Sequence, residues 1–132
     1  MYFDFLIPKR PVSLQIRPRA NLQAWKEYVK AEAAKTWTGK PYSETDIQLT
    51  LVYLYDRDPV DTDNIVKPIQ DALKGLVYDD DSLITDVESH RRSLAGTFDF
   101  TRCPSALIQG IVSSIECVYV RVCASRPLED YL

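Results

Sequence analysis

The sequence predicts an α+β (mixed α/β) fold, a small mixed sheet of about four strands with two main helices packed on it. Three observations carry that expectation. The segments Tyr2–Ile7 and Ile47–Tyr55 are rich in aromatic and β-prone residues, two other segments repeat apolar residues at helical spacing, and strand-like and helix-like stretches alternate along the chain. With 132 residues, 45% hydrophobic and 27% charged, the chain has the size and composition of a single globular domain, residues 1–132, with a core of its own.

Tyr2–Ile7 reads as a first strand that closes at Pro8, and residues 8–18, with three prolines, as a loop. Asn21 is the expected cap of a helix reaching Thr36. Its apolar stripe is Leu22, Trp25, Val29 and Ala33, and Gly39-Lys40-Pro41 stops the chain from continuing as helix. Ile47–Tyr55 alternates in its first half and is apolar on both faces in its second, the pattern of a strand entering the centre of a sheet. A second helix follows, capped by Asp63 or Asn64, with the stripe Ile65, Ile69, Ala72, Leu73 and Leu76, ending near Gly75. Pro68 lies inside it and lacks a donor, so an irregular first turn or a start near Lys67 is also open. Residues 83–87, extending toward 93, read as a third strand. Pro104 opens a short helix through Ile111, residues 115–122 form the last strand, and residues 124–132 read as a tail.

No run approaches the roughly 20 apolar residues of a membrane span. The start, Met1-Tyr2-Phe3-Asp4, has no basic, signal-like region, so a cytoplasmic protein without membrane contact is expected. Cys103, Cys117 and Cys123 are odd in number and form no CxxC pair, which fits reduced thiols used as small apolar residues.

The chemistry is concentrated between Asp61 and Asp81. Asp61, Asp63, Asn64, Lys67 and Asp71 are followed by Asp79, Asp80 and Asp81, and carboxylates this dense repel one another unless a cation neutralises them. No His or Cys falls among them, so the oxygen donors suit hard Mg²⁺, or Mn²⁺, rather than zinc. The same Asp-x-Asp-Asn string also reads as a turn or helix cap, and an EF-hand is a poor fit because its glycine and distal glutamate have no counterparts. Net charge is −3, yet the basic residues gather away from the acids. Lys9, Arg10, Arg17, Arg19, Arg91 and Arg92 are the candidate phosphate contacts, against the plainer reading of a solvated face. His90 lies outside the acidic cluster and is assigned no role. Trp25 and Trp37 read as core or interface, with base stacking as a minor alternative.

Three strings, Asp61-Thr62-Asp63-Asn64-Ile65-Val66-Lys67, Asp71-Ala72-Leu73 and Asp80-Asp81-Ser82, closely resemble the signature of the RusA-type endonucleases, phage-derived Holliday-junction resolvases: DxDNxxK, then DAL, then a DD pair. Pro11-Val12-Ser13 after an aromatic strand, the helix holding Trp25, and the last strand are similar to that family's plan too. The similarity is strongest over residues 56–84 and thin over residues 94–111, where the chain carries extra residues.

The resemblance implies a RusA-like homodimer that uses Mg²⁺ or Mn²⁺ to nick two symmetric strands of a four-way DNA junction. It makes Asp61, Asp63 and Asp81 the catalytic, metal-holding carboxylates and Lys67 the essential lysine. Because this chain has three aspartates in the run and one residue fewer after DAL, Asp80 stays open as the alternative to Asp81. Asn64 and Asp71 are expected in support, Asp71 through an ion pair with Lys67 or Lys74. The alternatives are a metal-dependent nuclease for other branched DNA, such as flaps and forks, and a catalytically silent DNA-binding subunit of the same fold.

Overall fold

The computed structural model describes all residues, Met1–Leu132. Its strands are β1 (Tyr2–Ile7), β2 (Ile47–Tyr55), β3 (Ile84–Ser93) and β4 (Cys117–Ala124). Its helices are α1 (Arg19–Ala34), α2 (Thr62–Leu73) and α3 (Ser105–Ser113). The strands form one four-stranded sheet in the order β1-β4-β2-β3. β4 runs antiparallel to both β1 and β2, whereas β2 and β3 are parallel and joined through α2, so the sheet is mixed. The expected α+β class is what forms. β2 lies inside the sheet, where a strand apolar on both faces belongs.

One face of the sheet packs against α1 and α2. Phe5, Ile7, Leu49, Leu51, Val118 and Val120 meet Trp25, Val29, Ile65 and Ile69 there in one cluster of buried residues. The whole stripe expected for α1, Leu22, Trp25, Val29 and Ala33, is buried. The other face receives α3, the short helix expected after Pro104, beside the two main ones. A Cβ at Gly110 would lie 2.9 Å from Leu6 Cδ1 and 3.0 Å from Cys117 Sγ, so glycine is what lets α3 approach the strands closely. Cys117 is buried, Cys103 and Cys123 are half-buried, and all three thiols are free. Burial pushes the Cys117 thiol up to about 11.

Four local expectations are corrected. α1 starts at Arg19 after Pro18, and Asn21 lies within the first turn instead of capping it, its N–H donating to Pro18 O at 3.1 Å. α2 starts at Thr62 with Asp61 in the cap position, ahead of Asp63 and Asn64. β4 is shifted two residues along from the expected 115–122. The end of the chain is no loose tail. A 3₁₀ turn, Leu128–Tyr131, places the Tyr131 hydroxyl where it donates to Gln48 Oε1 at 2.6 Å. Gln48 is the one buried polar residue apart from the aromatic ones, and this bond satisfies its oxygen. Tyr131→Phe leaves that oxygen short of a partner and is expected to cost about 1 kcal/mol. Thermal unfolding should show it as a drop of roughly 3–5 °C in Tm.

Pro68 explains why α2 survives a proline. Within a helix the residue-68 N–H would donate to Asn64 O, and proline has none to give. Leu14 N–H takes its place, donating to Asn64 O at 2.9 Å. The acceptor that Pro68 leaves vacant, Asn64 O, thus becomes the attachment point of the proline-rich loop, which docks on α2 beside the acidic residues.

Candidate active site

α2 leaves the C-terminal end of β2 and returns along the sheet toward the start of β3. Asp61 and Asp63 therefore lie at one end of the helix, and the Asp79-Asp80-Asp81 turn lies nearer the other. Asp61 has extended backbone (φ −60°, ψ 137°) and its side chain makes no capping hydrogen bond, so the plain capping reading does not hold for it. Asp63 is in the first turn, where a negative charge is favoured by the helix dipole. Beside Asp61 a cleft of about 550 Å³ is bordered by Arg10, Val12, Ser13, Ile16, Val60 and Asn64.

Lys67 joins the two ends. Its Nζ donates to Asp71 Oδ1 at 2.9 Å and to Asp81 Oδ2 at 3.1 Å. The bonds to Asp71 and then Asp81 raise its pKa above the usual 10.5, so the ammonium stays charged at any ordinary assay pH. Lys74 performs the matching task for Asp80, at 3.1 Å. Asp80 is further committed to the turn: it accepts from Ser82, and these bonds, with Lys74, hold its carboxyl down to about 2. Asp71 pairs with Lys67 rather than Lys74, and also with Lys26 at 3.5 Å.

As they stand, Asp61, Asp63 and Asp81 do not converge: no three His, Cys, Asp or Glu side chains are grouped closely enough to hold a metal ion. The reason is helical rise. Asp63 and Lys67 share a face but are separated by about 6 Å along the axis, and Asp81 is drawn to the Lys67 end. The donor chemistry nevertheless fits a hard divalent cation. All the candidate ligands are oxygens, Asp61 and Asp63 are exposed and free to change rotamer, and Asp81 is tethered one turn away by an exposed lysine.

The basic candidates divide. Lys9 lies over the Tyr28 ring at 4.9 Å, while Arg17 and Arg19 donate to carbonyls of their own loop. Arg91 is in register with Tyr53 and Arg92 with Leu54, so their side chains leave β3 on opposite faces. Arg91 shares the α2 face; Arg92 points to the α3 face. His90 is exposed, 3.4 Å from Glu88.

Two side chains absent from the sequence-based set, Tyr53 and Glu116, brace the loop that leads into Asp61. Tyr53 is fully buried, and its hydroxyl donates to Glu116 Oε2 while accepting from Val60 N–H at 3.4 Å. Arg10 completes the brace. It donates to Glu116 Oε2 at 2.9 Å, Arg57 O at 3.2 Å and Asp58 O at 2.8 Å. A tyrosine within the half of β2 that is apolar on both faces was the one available signal, because a buried hydroxyl needs a partner.

The family model described as Endodeoxyribonuclease RusA matches residues 9–97, the larger part of the chain. The chain belongs to the RusA family. It is accordingly an endodeoxyribonuclease of the Holliday-junction-resolvase type, which hydrolyses DNA phosphodiesters, and RusA nucleases generally depend on a divalent metal. No curated protein matches the chain. The matched stretch contains the whole acidic cluster but ends before α3 and β4. β4 nonetheless pairs with both β1 and β2, so residues outside the match complete the RusA sheet here. No helix is long and apolar enough to cross a membrane.

Proposed function

We propose that the chain is a Mg²⁺-dependent, structure-selective nuclease, also able to use Mn²⁺, that resolves Holliday junctions as a homodimer by paired symmetric nicks. Asp61, Asp63 and Asp81 hold the metal, with Asp80 the less suitable third ligand because Ser82 and Lys74 already engage it. The observation that carries this reading is the Lys67–Asp81 ion pair, which ties the distal aspartate to the helix whose first turn bears Asp61 and Asp63.

A divalent cation held by these carboxylates would make a coordinated water more acidic and would polarise a phosphoryl oxygen. The protein's own part is positional and electrostatic. Lys67, kept protonated chiefly by its bond to Asp71, presents a compact positive charge to the phosphate as negative charge builds on it. Asp71 keeps that ammonium in place, and Asn64, one turn before Pro68, fixes the docked loop through its carbonyl. Lys9, Arg10, Arg17, Arg19 and Arg91 supply phosphate contacts on the acidic-site side, with Arg92 serving the opposite face. Two copies related by a two-fold axis would present two such sites to a symmetric junction.

Incubating the purified protein with a synthetic four-way junction, a flap and a linear duplex, each with Mg²⁺ or with EDTA, tests this. Paired nicks at the junction that need Mg²⁺ are expected. Cuts confined to flaps or forks would change the substrate assignment, and junction binding without cleavage would identify a silent subunit.

A further inference from the structure

We infer that Glu116 is a positioning residue for Asp61, acting through Tyr53 and Arg10 to hold the loop that delivers this carboxylate to its metal. The inference rests on the proposed role of Asp61 as a ligand. Its basis is the way residues 57–60 are held. The carbonyls of Arg57 and Asp58 accept from Arg10, and the Val60 N–H donates to Tyr53. Each of these grips leads back to one oxygen, Glu116 Oε2, which accepts from both Arg10 and the Tyr53 hydroxyl.

The loop needs such a brace. Asp58 has left-handed backbone, φ 46°, a conformation that aspartate adopts more readily than most residues but still at a cost in energy, so the loop holds it best where neighbours fix it. Downstream, Asn64 N–H donates to Asp61 O at 3.0 Å, so the Asp61 backbone is fixed on both sides. Burial, and then the bond to Glu116, push the Tyr53 hydroxyl up to about 12, which keeps it a proton donor to the carboxylate at working pH. Glu116 is remote in sequence and lies beyond the matched stretch of residues 9–97. Its side chain is 14% exposed and engaged by two donors, which suits it to orient another residue and not to ligate.

Removing a residue that orients a ligand typically weakens metal binding ten- to a hundred-fold. The experiment titrates Mn²⁺ by calorimetry, without DNA, into the full chain and into Glu116→Ala, Glu116→Gln, Arg10→Lys and Asp61→Asn, with thermal unfolding recorded for each. Glu116→Ala and Arg10→Lys should each weaken Mn²⁺ binding about ten-fold. The double variant carrying both Glu116→Ala and Arg10→Lys, titrated in the same way, should be no weaker than the worse single one, because both act through one network. Glu116→Gln keeps an acceptor for the Tyr53 hydroxyl and should recover most of the affinity. If loss of long-range charge were the cause, Glu116→Gln would be as weak as Glu116→Ala and Arg10→Lys would be unaffected; that result overturns the inference. So does wild-type affinity in both Glu116→Ala and Arg10→Lys while Asp61→Asn binds nothing. Should Glu116→Ala fail to fold, Arg10→Lys, half-exposed and charge-preserving, decides alone. Wild-type affinity in Asp61→Asn, or no binding by the unaltered chain, removes the metal reading itself and this inference with it.

Discussion

Asp63→Asn should abolish junction cleavage, a loss on the order of 10³-fold or more, while leaving junction binding intact or tighter. The size follows from the several kcal/mol that a correctly held metal contributes to a phosphodiester transition state, at about 1.4 kcal/mol per factor of ten. The direction on binding follows from charge: an exposed carboxylate that faces phosphate repels it, and the amide does not. Folding should survive. Asp63 is exposed in the first turn, and its interaction with the helix dipole is worth only about 0.3–1 kcal/mol. Cleavage rates, junction affinity in EDTA and a melting curve on the same preparation separate the cases, since lost binding together with a lowered Tm would make Asp63 a structural residue. The same substitution distinguishes the two candidates for the third ligand. Asp81→Asn should be as inactive as Asp63→Asn, whereas Asp80→Asn should lose only the turn and Lys74 contacts and retain most cleavage.

Lys67→Ala is expected to lower the cleavage rate by roughly 10²–10³, the scale for removing one preorganised charge from a developing anion. Its ion pairs are half-exposed, with the lysine side chain 48% accessible, and such pairs contribute only about 0–1 kcal/mol to stability, so the variant should fold. Lys67→Arg keeps the charge but spreads it over a planar fork, so partial activity is expected. The pH behaviour has a definite sign. Because Asp71 and Asp81 raise the Lys67 pKa, its charge is fully present below 10.5 and is lost only as pH climbs past the raised value. A rise of wild-type cleavage from acid toward neutral pH therefore does not come from Lys67. If Lys67→Ala cleaves at the wild-type rate, the lysine is a surface residue that happens to pair with two aspartates.

Much of the scaffold was legible because it rests on local periodicity. The bounds of β1 and β2 and the whole buried stripe of α1 follow from which residues are apolar and at what spacing. The errors arose where distant partners decide. Pro68 pointed to a disturbed first turn in α2, but Leu14, far away in sequence, supplies the missing donor and the helix runs from Thr62. Residues 124–132 lack a pattern of their own, and it is the buried Gln48 amide that recruits Tyr131. The acidic cluster could be seen as a cluster because it is contiguous. Its geometry could not, because the Lys67–Asp81 bond spans a turn with no period, and the helical rise that separates Asp63 from Asp81 appears only once α2 is known to run back along the sheet. Glu116 carried no signal at all, since its importance lies in two partners on other elements.

The most direct test is diffraction from crystals grown with Mn²⁺, using the metal's anomalous signal to locate it. An anomalous peak within about 2.5 Å of an oxygen from each of Asp61, Asp63 and Asp81, with Lys67 turned from Asp81 toward the metal-bound face, is the predicted result. Crystals that cleave junction DNA on dissolution yet show no peak there, with Asp81 still on Lys67 and the three carboxylates apart, would contradict it.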